Sequence, residues 1–179
     1  MKAAAELMGV SRARVAQPRD DGSPPERAFP TTGEIDLDHE DLIVVCGPKS
    51  SHVTAEALGR DPKLSFETLP DGRWALTERD SGTVHTSPSD DPDSPAPEDI
   101  AYLGRLPRPD GQGTFLLIAG IHAVGSLGVA HFLAENITDI YQEAGTKPFS
   151  MVIAADYEPG TKTILGSRAL SGVLLHETA

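Results

Sequence analysis

Three features predict a mainly parallel, three-layer α/β sandwich. Continuous apolar runs read as buried strands, a long amphipathic helical pattern lies between two of them, and glycine-rich turns mark the strand-to-helix junctions. A small antiparallel β excursion and a short helical N-terminal arm complete the expectation. In a chain of 179 residues this amounts to one α/β domain over residues 41–179, a flexible linker over 18–40 and a helical segment over 1–17.

Residues 2–17 read as two short helices broken at Gly9-Val10-Ser11. Ala5, Gly9, Val10 and Val15 fall where a helix-turn-helix places a small residue, a turn glycine and two apolar residues. Ser11, Arg12 and Arg14 would then open the helix that enters the major groove of DNA. Pro18 ends that helix early, and no helix precedes Met1 to complete the unit's core. The segment is therefore a DNA-binding unit, the remnant of a longer module or an amphipathic arm. Residues 20–30 hold three prolines and mixed charge with little to bury, as a linker does.

The domain opens with Leu42-Ile43-Val44-Val45-Cys46, an apolar run expected to be covered on both faces. Ser50 or Ser51 can cap a short helix over 52–58, with Gly59 as its stop. Residues 64–69, 74–77 and 83–86 alternate in polarity and are separated by Pro70-Asp71-Gly72 and Asp80-Ser81-Gly82, which predicts a small antiparallel unit. Residues 88–98 are rich in Asp, Pro and Ser and read as a mobile spacer or lid. Strands follow at 100–106 and 115–119. Ala130, Leu133, Ile137, Ile140, Tyr141 and Ala144 then recur at helical spacing up to Gly145. Residues 151–155, 162–165 and 172–176 supply the remaining strands.

Charge narrows the function. The net charge is −12, distributed as +2 over residues 1–17, −5 over 18–40 and −9 over 41–179. An acidic domain repels a polyphosphate backbone, so only the N-terminal segment has the sign for DNA. The one cysteine, Cys46, excludes an intrachain disulfide. No apolar run approaches the roughly 20 residues of a membrane span. The expectation is a soluble cytoplasmic protein, with no membrane partner and a homodimer open.

Two turns are the candidate ligand site. Gly120-Ile121-His122-Ala123-Val124-Gly125-Ser126-Leu127-Gly128 follows the 115–119 strand, and Gly47-Pro48-Lys49-Ser50-Ser51 follows the first one. Free backbone N–H groups and a helix dipole converge at such junctions, which suits a small anion or a nucleotide-like ligand. The spacing of Gly120 and Gly125 is that of a P-loop, yet Ser126 and Leu127 replace the required Lys and Ser/Thr, and the dinucleotide glycine fingerprint fails as well. Gly47, Lys49, Ser50, Ser51, Gly120, His122, Gly125, Ser126 and Asp156 are therefore candidate ligand contacts. Lys49 would balance the anion, and Asp156, at a strand end, would accept ribose hydroxyls. The bland alternative is that Gly125 and Gly128 only permit tight helix–sheet packing. No metal site is expected, because the histidines lack ligand spacing. No cofactor is called for, and a catalytic reading would pair His122 as general base with Ser126 or Ser50 as nucleophile.

Val44-Val45-Cys46-Gly47-Pro48-Lys49-Ser50-Ser51, Ala101-Tyr102-Leu103-Gly104-Arg105-Leu106-Pro107-Arg108-Pro109 and the 119–128 turn together carry a family resemblance. Over about three quarters of its length the chain resembles a Rossmann-like domain of unknown biochemical role, found C-terminally in actinobacterial helix-turn-helix (XRE-like) regulatory proteins. It is more loosely similar to α/β domains of archaeal surface-layer proteins. The resemblance implies transcription regulation: a non-enzymatic ligand-sensing or protein-interaction domain joined to a shortened helix-turn-helix. An enzyme acting on a nucleotide or nucleotide-derived molecule is the alternative.

Overall fold

The computed structural model describes residues 42–108, 111 and 113–177. The helix-turn-helix pattern with Ser11, Arg12 and Arg14, and the linker over 18–40, lie outside the described residues. In chain order the elements are β1 (Ile43–Val45), α1 (His52–Gly59), β2 (Leu64–Thr68), β3 (Trp74–Glu78), β4 (Val84–Thr86), β5 (Glu98–Pro107), β6 (Thr114–Gly120), α2 (Ala123–Ala144), β7 (Phe149–Tyr157), β8 (Ile164–Ala169) and β9 (Leu174–Leu175). A six-stranded sheet has the order β1-β6-β5-β7-β8, with β9 also on β7. A separate sheet has the order β2-β3-β4.

The expectation of a mainly parallel, Rossmann-like sheet is overturned. Only β1 and β6 pair in parallel. The β5–β6, β5–β7, β7–β8 and β7–β9 pairs are all antiparallel. Connection length explains this. A parallel neighbour needs a crossover of a dozen or more residues, but residues 108–113 join β5 to β6 and residues 158–163 join β7 to β8. The crossover from β6 through α2 to β7 passes over β5, and the longer connection from β1 to β5 passes over β6. Continuous apolar strands nonetheless arise, because both faces of this sheet are covered. Burial on two faces is what such runs report, not strand direction.

Side chains of β5 alternate between the two coverings. Ile100, Tyr102 and Leu106 enter a core shared with α1 and with Leu64 and Leu76 of the small sheet. Ala101 and Leu103 enter a second core with Val129, Phe132 and Ile140 of α2. The small sheet consists of the alternating segments at 64–69, 74–77 and 83–86, joined as antiparallel neighbours. Its turns carry Gly72 and Gly82 at φ +87° and +72°, in the left-handed region that favours glycine. The segment at 88–98 is held rather than loose. Pro88–Asp90 forms a 3-10 turn, Ala96 N donates to Pro88 O, and Ser87 Oγ donates to Glu98 O. Among the described residues, no helix is long and apolar enough to cross a membrane.

The helix α2 lies unusually close to the sheet because two of its residues have no side chain. A Cβ on Gly128 would fall 2.0 Å from Ala155 Cβ, and one on Gly125 would fall 2.6 Å from Asp99 Oδ2. Overpacking of this kind typically costs about 1–3 kcal/mol. Gly128→Ala should therefore lower stability by that amount in urea denaturation, and Ala155→Gly in the same chain should restore part of it. Gly59→Ala, at a helical position with nothing within 4 Å, should be neutral or stabilising by up to about 1 kcal/mol.

Candidate functional site

The two glycine turns do share one edge, since β1 and β6 are neighbours. A Cβ on Gly47 would sit 3.6 Å from Gly120 O. Lys49 reaches across this junction: its Nζ donates to Ile121 O at 3.0 Å and stands 5.0 Å from the centroid of the Trp74 ring. The cation is thus committed to a carbonyl and an aromatic face. Ser50 N donates to Gly47 O in the turn. Ser51 is buried and caps α1, accepting from Thr54 N at 3.3 Å. Gly120 N donates to Ser126 Oγ at 2.9 Å, which ties the end of β6 to the first turn of α2.

A helix start normally presents unpaired N–H groups to solvent or ligand. Here Asp99, from the start of β5, already occupies that position. Its fully buried carboxylate accepts at Oδ2 from His122 N at 3.0 Å and from Gly125 N at 2.8 Å. It takes the capping role that the His122 side chain does not fill. A carboxylate also satisfies the positive end of the helix dipole. The position where an anionic ligand was expected is filled by the protein's own anion.

His122 completes the arrangement. Its Nδ1 lies 3.2 Å from Asp99 Oδ1 and its Nε2 lies 3.2 Å from Asp90 Oδ1, so both ring nitrogens face carboxylates. The contact with Asp90 also fastens the 88–90 turn over the edge. Neither ring nitrogen bonds Ser126. Asp156 belongs elsewhere: it is exposed on β7 and pairs with Arg168 at 3.2 Å, while Arg168 also pairs with Glu98. The edge therefore gathers Gly47, Lys49, Gly120, His122, Gly125 and Ser126, and leaves out Asp156. Among the described residues, no group of three or more His, Cys, Asp or Glu is placed to hold a metal ion.

A second buried carboxylate lies on the opposite face of the sheet. Asp61 Oδ1 accepts from Lys63 N at 2.7 Å and Leu64 N at 2.9 Å; its Oδ2 accepts from the Tyr102 hydroxyl at 2.7 Å and from Ser150 Oγ at 2.5 Å. His176 Nε2 stands 2.6 Å from Ser150 Oγ and 3.4 Å from Asp61 Oδ1. Burial above all, with Asp61 adding to it, pushes the Tyr102 hydroxyl well above its ordinary value, so it remains a donor. Burial pushes the His176 ring below its ordinary value; the Asp61 carboxylate opposes this and the Lys63 ammonium reinforces it. The serine, histidine and aspartate resemble a nucleophilic set in composition only. Ser150 is wholly buried and its hydroxyl is consumed by its neighbours. No local spacing joins Asp61, Tyr102, Ser150 and His176, which come from four separate parts of the chain.

No protein family, curated protein or solved structure was found to match this chain.

Asp99→Ala would remove the acceptor of His122 N and leave Gly125 N only its bond to His122 O at 3.2 Å, at a cost of about 1–3 kcal/mol. Asp99→Asn, which keeps one oxygen acceptor, should cost less; urea denaturation of both variants checks the order. The His176 shift sets a pH dependence. An unfolded histidine takes a proton below about pH 6.5, whereas the folded ring resists until a lower pH. Stability from this group is thus present above about pH 6.5 and is lost as the pH falls below it. Between pH 7 and pH 5, His176→Gln should lose less stability than the parent chain.

Proposed function

We propose that residues 42–177 form a non-catalytic protein-docking domain, whose working face is a groove between the β1 edge and the C-terminal half of α2. A 22-residue helix is about 33 Å long, while the three residues of β1 cover only about 10 Å. Strand β1 is thus too short to cover the last turns of α2, whose Ile137 and Tyr141 stay exposed. Beneath them lies a groove of about 480 Å³, lined by Ile43, Leu116, Leu133, Ile137, Ile140 and Tyr141 among others.

One observation carries the reading. Six large hydrophobic residues are exposed among the described residues, and three of them, Ile43, Ile137 and Tyr141, line this single groove at 61%, 58% and 62% exposure. Apolar area left in water forfeits about 25 cal/mol per Å², and clustering of such area on a surface marks an interaction site. Arg105 closes one end, donating from Nη1 to Gly145 O at 3.0 Å. The occupant that suits these walls is an apolar face of a protein segment, with anchors at helical spacing. The alternative of an enzyme acting on a nucleotide draws no support from the glycine edge, where Asp99 occupies the helix start and Lys49 is spent on Ile121 and Trp74. Joined to a helix-turn-helix pattern, a docking face suits regulation by contact.

A designed amphipathic peptide with leucines at i, i+3, i+4 and i+7, fluorescently labelled, should bind the full-length chain carrying Val10→Asp and Val15→Asp, changes that keep residues 2–17 from competing for the groove, in an anisotropy titration. Ile137→Asp should weaken that binding at least tenfold and Lys49→Ala should leave it unchanged. Absence of binding, or sensitivity to Lys49→Ala alone, overturns the reading.

A further inference from the structure

We propose that the groove is the seat of the chain's own residues 2–17, an inference that rests on the docking reading above. The first argument is where the described chain begins. Leu42 is itself part of the groove wall, and its carbonyl accepts from Leu116 N at 3.0 Å. The 41 residues that precede it therefore enter the domain at the groove.

The second argument is composition. Residues 2–17 carry Leu7, Met8, Val10 and Val15 with several alanines. A segment of 16 residues with that content has too little apolar surface to close a core alone. Ile43, Ile137 and Tyr141 have the converse deficit: large apolar side chains with no described residue over them. The charges also agree, +2 on residues 1–17 and −9 on residues 41–179.

The third argument is reach. A chain of 24 residues, 18–41, joins the two parts. A random coil of that length has an average end-to-end distance of roughly 27 Å, enough to return a segment to a groove at its own attachment point. Tethering of this kind gives an effective concentration in the millimolar range. A second copy of the chain has to compete with that at whatever concentration it is present. Seated this way, the segment bearing Ser11, Arg12 and Arg14 is held against the acidic domain, and whatever it contacts outside the domain must draw it from the groove.

The test places benzoylphenylalanine at position 141 of the full chain and irradiates it at about micromolar concentration. Mass spectrometry of tryptic peptides should find an intrachain link to residues 2–17. Ile137→Asp, at an exposed position, and Val10→Asp with Val15→Asp, outside the folded domain, should each reduce that link at least tenfold. Tyr141 gives an independent readout, since the other two tyrosines, Tyr102 and Tyr157, are buried. Its nitration by tetranitromethane should be several-fold slower in the parent chain than in the Val10→Asp, Val15→Asp chain. A link to a second copy, or no link to residues 2–17, overturns the proposal. If the designed peptide still binds through Ile137 in that case, the docking face survives and only its occupant is wrong. If the peptide fails as well, both readings fall.

Discussion

The carboxylate of Asp99 under the first turn of α2 is the contact on which this architecture turns. It supplies the helix cap from a different strand, so the start of α2 is fixed to β5 as well as to the end of β6. The absence of a side chain at Gly125 lets the carboxylate approach, and the approach in turn holds the His122 backbone in place. Burying a charge is costly unless it is fully hydrogen-bonded, and here two N–H groups, a helix dipole and an imidazole meet it. The same contact occupies two of the N–H groups at this edge. A phosphate cannot use N–H groups that an internal carboxylate already holds.

Asp61 performs the matching task on the other face. It gathers the start of β2, the Tyr102 hydroxyl of β5, Ser150 of β7 and the C-terminal His176 around one buried oxygen pair. Strand β5 sits between the two clusters, giving Asp99 to one side and Tyr102 to the other. Its neighbours β6 and β7 bind it along nearly its whole length. Both covering layers are thereby pinned to one central strand by polar contacts within apolar surroundings. Removing either carboxylate leaves donors stranded, which is why these sites bear on stability more than their few hydrogen bonds suggest.

Much of this was legible along the chain, within limits that have a physical cause. The apolar runs near Val44, Leu103, Ile118 and Val152 marked strands correctly, and the spacing of Leu133, Ile137 and Ile140 marked α2, because periodicity is a local property. Strand direction was not legible. An apolar run records covering on two faces, and antiparallel strands between two layers produce the same pattern as parallel ones. The glycines at 120, 125 and 128 were visible as a strand-to-helix turn, but what each one meets was not. Gly125 faces Asp99, 26 positions away, and Gly128 faces Ala155. The Asp61 cluster had no local signature at all, since its members are brought together only by the sheet.

The parallel pairing of β1 with β6 has a consequence for the order in which the molecule assembles and loosens. Ile43 finds Leu116 only after a long stretch of chain has closed between them, whereas β5 and β6 meet through a short connection. Contacts that close long loops are slow to form, so the β5–β6 hairpin is the local unit and β1 is the late addition. A strand of three residues with one open edge also has few hydrogen bonds to break. In amide exchange it belongs with the segments that open well below the global unfolding free energy. This outer strand of the sheet is therefore its most readily detached part.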